Sequence, residues 1–288
     1  MTNFYAVIEA GGTKFNCAIM DEQRNIIEDS RVATDDVETT LSNVVAFFMQ
    51  QRQQGRDFKQ LGLACFGPLD LDPQSEHFGS ITETPKPGWQ WTPIKNRLAD
   101  ALDCEVIIET DVNAAALAEY RWGASQGTDV SVYVTIGTGV GGGVVINGKP
   151  LHGLVHPEIG HMQVPNSHSV KCACPYHNSC VEGLASGSAI KTIWQQPAET
   201  LADDHQAWQV AAEALAQMCH NLLLTLSPQK IILGGGVMAK DGMLARVIEL
   251  TETSLNRYLC SPQPLNKVID RPALGGISGL YGALALLI

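Results

Sequence analysis

The chain has 288 residues, of which 45% are hydrophobic and 17% charged, and its formal net charge is −11. This composition favours a folded protein over a disordered one, and the acidic balance without a cluster of Lys and Arg argues against a nucleic-acid partner. The longest apolar stretches, such as residues 277–288, fall short of the ~20 residues that span a bilayer, so we expect a cytoplasmic protein without a membrane anchor.

The first half of the chain predicts an α/β domain that opens on a hairpin. Its hydrophobic patterns predict strands at residues 5–9, 15–20, 61–66 and 106–109, and helices at 37–54, 93–101 and 112–122. A loop rich in Pro and Gly covers residues 67–88, and Gly123 ends the last of these helices.

The second half repeats the opening pattern. Residues 130–136 and 142–146 are predicted strands around a Gly-Thr-Gly turn, as residues 5–9 and 15–20 are around a Gly-Gly-Thr turn. A helix is predicted at 204–225, a strand at 231–233 and a final helix at 278–287. The repeated unit indicates a duplicated fold with two related halves.

Three glycine turns are candidates for holding phosphate groups. Small residues let backbone N–H groups approach an anion closely, and a neighbouring hydroxyl or ammonium adds a further contact. One such turn alone would be read as an ordinary hairpin, but a second turn of the same chemistry predicts two contacts with a polyphosphate. A third turn offers a surface for an adenine ring. The predicted nucleotide-binding residues are Gly11, Gly12, Thr13, Lys14, Thr138, Gly139, Gly235 and Gly236.

Asp111 lies between a predicted buried strand and a predicted helix. The simpler interpretation is a helix N-cap, a role that Asp performs well. However, ligands of α/β domains usually lie at the ends of central strands, and the alanines that follow leave room for a substrate. The carboxylate could therefore accept a proton from a sugar hydroxyl as that oxygen attacks a γ-phosphorus.

A metal site is predicted around Cys174, His177 and Cys180, whose spacing lets a short loop surround one tetrahedral ion. His161 is the best fourth ligand, although Cys172 could replace one of the four, and a loop of free thiols is the alternative. Four protein ligands would make a zinc ion structural. The remaining cysteines are scattered through apolar segments, as core residues often are: Cys17, Cys65, Cys104, Cys219 and Cys260.

Two carboxylates flank the predicted metal loop. Glu158 lies three residues before His161, and Glu182 follows the loop directly. Each alone would be an ordinary surface carboxylate. Held by a metal loop, they would be rigid enough to bind the hydroxyl groups of a polar ligand.

These segments together resemble the ROK family of sugar kinases and sugar-responsive repressors over essentially the whole chain, and most closely its bacterial fructokinase branch. The motifs that carry the resemblance are EAGGTK (9–14), FGPLD (66–70), TPKPGW (84–89), TDVNAA (110–115), EIGH (158–161) and CPYHNSCVE (174–182). Glu9 stands where many members have Asp, Thr110 where many have Asn, and His177 in a loop that is often all cysteine.

The resemblance implies the two-domain actin-like ATPase (ribonuclease H-like) fold, an α/β architecture with a duplicated mixed-sheet core and an interdomain cleft. Its domains would be residues 1–117 plus 275–288, and 118–274, the second carrying the zinc loop. Asp111 matches the family's catalytic base and the first glycine turn its phosphate loop. The sugar-binding positions would be Thr110, Glu158, His161 and Glu182.

The function expected from the resemblance is transfer of the γ-phosphoryl group of MgATP to the 6-hydroxyl of D-fructose, with Mg²⁺ and a structural Zn²⁺ and with a homodimer as the usual assembly. The alternatives are a mannokinase, a glucokinase or a broad hexose kinase. A repressor would carry an N-terminal helix-turn-helix, whereas the predicted strand begins near Phe4. A non-catalytic sugar-binding protein is the remaining possibility.

Overall fold

The computed structural model describes residues 3–259 and 261–288. The chain divides into two compact units. The first contains the residues up to Arg121 together with His152–His156 and Gly276–Ile288, and the second contains Trp122–Leu151 and Pro157–Gly275.

The strands, in chain order, are β1 (Phe4–Ala10), β2 (Lys14–Asp21), β3 (Ile26–Ala33), β4 (Gln60–Cys65), β5 (Glu105–Thr110), β6 (Val130–Ile136), β7 (Val140–Ile146), β8 (Lys149–Pro150), β9 (Lys230–Gly234) and β10 (Ile269–Asp270). The α-helices are α1 (Val37–Gln53), α2 (Ile94–Leu102), α3 (Asp111–Trp122), α4 (Val181–Ala185), α5 (Gly187–Trp194), α6 (Gln206–Leu226), α7 (Met243–Leu255), α8 (Leu265–Val268) and α9 (Ser278–Ala285).

The two units contain sheets of the same topology. The first sheet has the strand order β3-β2-β1-β4-β5 and the second has β8-β7-β6-β9-β10. In each, the first three strands of the unit are antiparallel neighbours, and the next two are parallel to the opening strand. This correspondence confirms the duplicated mixed-sheet core that the repeated strand–turn–strand pattern predicted.

Each sheet is covered by helices that bury apolar side chains. Phe15 of β2 and Phe48 of α1 are fully buried in the core of the first unit, while Ile231 of β9 and Leu215 of α6 are fully buried in that of the second. Helix α9 packs on β4 of the first unit, where a Cβ on Gly62 would lie 2.0 Å from the carbonyl oxygen of Ala283. Helix and sheet backbone are therefore in direct contact there.

Several elements differ from the sequence predictions. No bounds were predicted for strands β3, β8 and β10 or for helices α4, α5, α7 and α8, and the first residue of α3 was also missed. Helix α6 runs from Gln206 to Leu226 where 204–225 was predicted. Cys17, Cys65 and Cys219 are buried, and Cys104 is half-buried, whereas Cys260 lies outside the described residues. Within the described part of the chain, no helix is both long and apolar enough to cross a membrane.

Candidate active site

Asp111 is the first residue of α3 and follows directly on β5. Strand β5 is parallel to β4, and the last residues of the two strands, Thr110 and Cys65, lie opposite each other. Burial raises the pKa of the Cys65 thiol well above its usual value, and the nearby charge of Asp111 adds to this effect. The partly buried carboxylate thus lies at the carboxyl ends of two parallel strands, where α/β sheets usually bind ligands.

A buried carboxylate that the sequence analysis missed, Glu109, contacts residues on both sides of Asp111. Oε1 of Glu109 accepts hydrogen bonds from the backbone N of Thr110 at 2.8 Å and from Nδ2 of Asn113 at 3.0 Å. The hydroxyl oxygen of Thr110 in turn accepts from the backbone N of Asn113 at 3.1 Å. Thr110, predicted to bind sugar, therefore also caps the start of α3.

The segment His152–His156 is attached to the first unit by its two histidines. Nε2 of His152 lies 2.7 Å from Oε2 of Glu109, and Nε2 of His156 accepts from the backbone N of Leu69 at 3.3 Å. The hydrogen bond to Glu109 raises the pKa of His152 above its usual value. Between these histidines, Leu154 and Val155 are exposed.

The His152–Glu109 pair predicts a pH-dependent contribution to stability. Because the pKa of His152 is raised in the folded state, the pair stabilises the fold fully below the unfolded-state pKa of about 6.5, and this contribution is lost as the pH rises through the raised value. His152→Gln should therefore lower the free energy of unfolding more at pH 6 than at pH 9. The difference between the two losses should be less than about 1 kcal/mol, because the ring is half-exposed and solvent screens the pair. Urea unfolding at both pH values measures this, and an equal loss at both would contradict it.

The second unit contains a cavity of about 750 Å³ beside two of the predicted glycine turns. Gly137, Thr138 and Gly236 line it together with Lys191 and Lys240. Glu199 and Asp203 also line the cavity, and Asp203 pairs with the Lys240 ammonium. The glycine backbone and Lys191 are therefore the groups that suit an anionic ligand. The cavity is also large enough for a ligand of nucleotide size, since ligand pockets commonly measure roughly 300–1,000 Å³.

The other predicted nucleotide-binding residues have different surroundings. Gly11, Gly12 and Thr13 form the β1–β2 connection of the first unit, and Lys14 begins β2. The backbone N of Gly11 donates a hydrogen bond of 2.9 Å to the carbonyl of Lys14. Gly235 has a positive φ of 91° and packs against Ile136. Gly139 packs against Glu182. Their predicted contacts with nucleotide stay predictions.

The four predicted metal ligands lie together. His161, Cys174, His177 and Cys180 each offer a ligand atom, and these atoms lie within 4.8 Å of one another. The Cys174 sulfur is 3.4 Å from Nδ1 of His177 and 3.8 Å from Nδ1 of His161. Tetrahedral bonds of about 2.0–2.3 Å would put neighbouring ligand atoms about 3.3–3.8 Å apart, so the donor set fits Zn²⁺.

Cys172 is not one of these four ligands, and its sulfur packs against Gly183. Cys180 is buried and its sulfur caps the N-terminus of α4. Burial raises the pKa of the Cys180 thiol to about 12, and because a thiol must lose its proton to coordinate zinc, metal binding would release that proton.

Two of the predicted sugar-binding side chains are neighbours. His161 directs Nδ1 towards Cys174, and its Nε2 lies 3.9 Å from Oε1 of Glu182. Glu158 precedes the 3₁₀ turn Ile159–His161, and its carbonyl accepts from the backbone N of His161 at 3.0 Å. A metal ion bound by this cluster would therefore fix the ring of His161, which faces Glu182, the second predicted sugar ligand.

The duplicated mixed sheets, the glycine turns after their opening strands and the carboxylate at a strand end define the actin-like ATPase fold, as the sequence resemblance implied. The pattern of conserved positions that describes the ROK family matches residues 5–288. The chain belongs to the ROK family.

Individual relatives resemble the chain over nearly its whole length. A fructokinase from Zymomonas mobilis is 46% identical, the alignment covering 98% of this chain and 95% of the relative. The crystal structure of a ROK hexokinase from Thermus thermophilus superposes with a TM-score of 0.79 at 28% identity, and the superposition covers 99% of this chain and 97% of the hexokinase. A ROK family glucokinase from Streptomyces griseus, solved with glucose and AMPPNP, gives a TM-score of 0.70 at 26% identity and covers 98% of each chain.

Proposed function

We propose that this protein is a fructokinase, which transfers the γ-phosphoryl group of MgATP to the 6-hydroxyl of D-fructose and releases fructose 6-phosphate and ADP. The observation that carries the proposal is the 46% identity to the Zymomonas mobilis fructokinase over 98% of the chain. The glucokinase crystallised with glucose is only 26% identical. The chain is a sugar kinase, and fructose is the sugar that these relationships favour.

In this proposal Asp111 is the general base. A carboxylate at the carboxyl end of parallel strands can accept the proton of the 6-hydroxyl as its oxygen attacks the γ-phosphorus, and general-base assistance of this kind contributes roughly 10²–10⁴-fold. Glu109 supports the segment around Asp111 through the backbone of Thr110 and the side chain of Asn113, which would help to hold the base in place. A fixed base reduces the entropic cost of reaching the reactive geometry.

The nucleotide binds, in this proposal, in the cavity of the second unit. Thr138 and Gly236 contact the phosphates or the base there, with Gly139 and Gly235 supporting the backbone of the two turns. The turn of Gly11, Gly12, Thr13 and Lys14 provides a second phosphate contact. Mg²⁺ arrives with ATP and neutralises part of the phosphate charge.

The sugar is bound by Thr110, Glu158, His161 and Glu182, and Zn²⁺ is structural. With four protein ligands no coordination position is left for substrate, so the metal would act by holding His161 and the loop that ends at Glu182. We further propose the domain division 1–117 plus 275–288 and 118–274, which differs from the two compact units at residues 118–121, 152–156 and 275. A homodimer and a cytoplasmic location are also part of the proposal.

The decisive experiment measures ADP release over a panel of hexoses, with and without a zinc chelator. We expect kcat/KM for fructose to exceed those for mannose and glucose by at least about tenfold, because the sugar hydroxyls must match fixed polar partners. Comparable values for all three sugars would identify a broad hexose kinase. ADP release that no sugar stimulates would refute the proposal.

A further inference from the structure

The metal loop directly contacts the turn formed by residues 137–139, which we call the 137–139 turn. Oε2 of Glu182 accepts a hydrogen bond of 2.9 Å from the backbone N of Val140, the first residue of β7. A Cβ on Gly139 would lie 2.7 Å from the same oxygen, so the carboxylate lies against the turn and would have to shift if residue 139 carried a side chain.

A second contact comes from the N-terminus of α5. The backbone N of Gly187 donates to the carbonyl of Gly137 at 2.7 Å, and that of Ser188 donates to the carbonyl of Thr138 at 3.3 Å. Helix α4, only five residues long, is the link between the metal ligand Cys180 and this helix. The segment of residues 180–188 thus contacts the 137–139 turn through Glu182 and through the start of α5, and it also contains the metal ligand Cys180.

The carbonyl group of Val140 contacts the segment that contains the predicted metal ligand His161. A Cβ on Gly160 would lie 1.9 Å from the carbonyl oxygen of Val140, which means that the turn Ile159–His161 packs directly on its backbone. His161 also approaches Glu182, with 3.9 Å between Nε2 and Oε1. Both neighbours of Val140, Glu182 and Gly160, are therefore within two residues of a metal ligand.

We propose that Glu182 is a positioning residue for the nucleotide, through which the metal loop sets the geometry of the 137–139 turn. The inference rests on the proposed function, because it takes this turn as a contact for nucleotide phosphates, and it adds a role to the sugar contact already assigned to Glu182. Without the carboxylate, the N–H of Val140 loses its acceptor and the turn its support. The affinity for nucleotide then falls even when no sugar is present.

The test is calorimetric binding of MgADP to the zinc-loaded protein without sugar. Glu182→Ala should weaken binding about tenfold, the effect of leaving one backbone donor unsatisfied. Glu182→Gln keeps a side-chain oxygen for Val140, so its affinity for MgADP should stay within about threefold of the unmodified protein although its KM for fructose rises. Glu213→Ala is the matched control, since Glu213 also pairs with a histidine and its side chain is 30% exposed against 32% for Glu182. The affinity of this variant for MgADP should equal that of the unmodified protein.

Substitution of Gly139 and removal of zinc test the same contact independently. Gly139→Ala should weaken MgADP binding in the unmodified protein but add little in the Glu182→Ala background, because the atom that it would displace is then absent. Removal of zinc by a chelator should also weaken MgADP binding. Unchanged affinity in folded Glu182→Ala, in folded Gly139→Ala or in the folded zinc-free protein, or simple additivity of the two substitutions, overturns the inference. If the unmodified protein fails to bind MgADP at all, it is the proposed function that fails.

Discussion

We expect Asp111→Asn to lower kcat by about a thousandfold while the affinity for fructose changes by less than about threefold. The amide has nearly the same shape as the carboxylate but cannot accept the proton of the attacking hydroxyl. Thr110, which caps the start of α3, is unchanged, so α3 should keep its first turn. The loss therefore reports proton transfer, measured as ADP release at saturating MgATP and as fructose binding by calorimetry.

The matched control is the same change at another helix start of the first unit. Asp36 caps α1, and its Oδ1 accepts from the backbone N of Thr39 at 2.9 Å. Asp36→Asn should leave kcat unchanged. Turnover of Asp111→Asn within about tenfold of the unmodified enzyme would show that Asp111 is not the general base.

Cys174→Ser should abolish stoichiometric zinc binding and lower the midpoint of thermal unfolding by roughly 10 °C. The Cys174 sulfur lies within 3.8 Å of both histidine ligand atoms. A hydroxyl in its place is a poor zinc ligand at neutral pH, and the three remaining ligands would hold the ion weakly. Metal analysis of the purified protein and differential scanning calorimetry measure the two effects.

Cys172→Ser is the control for this substitution, because it removes a thiol from the same loop but not from the ligand cluster. We expect its zinc content to equal that of the unmodified protein. Retention of zinc by Cys174→Ser, or its loss from Cys172→Ser, would show that Cys172 takes a place in the coordination sphere and that the assigned ligand set is wrong.

The sequence predicted the ligand cluster because its chemistry is local. Three of the four ligands lie within seven residues, and few loops place two thiols and an imidazole at such intervals without a metal. The duplicated topology was also predictable, since both halves open on two strong strands around a glycine turn. Conversely, β3 is largely exposed and lacks an apolar alternation, so only its pairing with β2 identifies it.

The contacts of Glu109 and Glu182 could not be predicted from the sequence. Glu109 pairs with His152 across 43 positions, and Glu182 reaches the backbone of Val140 across 42. Such contacts depend on how strands and loops are arranged in space, which residue type and spacing do not encode. A charged residue inside an otherwise apolar strand end, as at Glu109, is the one signal that could have drawn attention, because a carboxylate is rarely buried without partners.

The contact of α9 with β4 has a consequence for biosynthesis. The sheet of the first unit is formed by residues before 111, whereas the helix that packs against Gly62 is formed by residues 278–285, which are synthesised much later. During translation at roughly 5–20 residues per second, this face of the nascent sheet stays uncovered for at least several seconds while the second unit is made. The N-terminal half must therefore persist on the ribosome with part of its apolar surface open to solvent or to a chaperone.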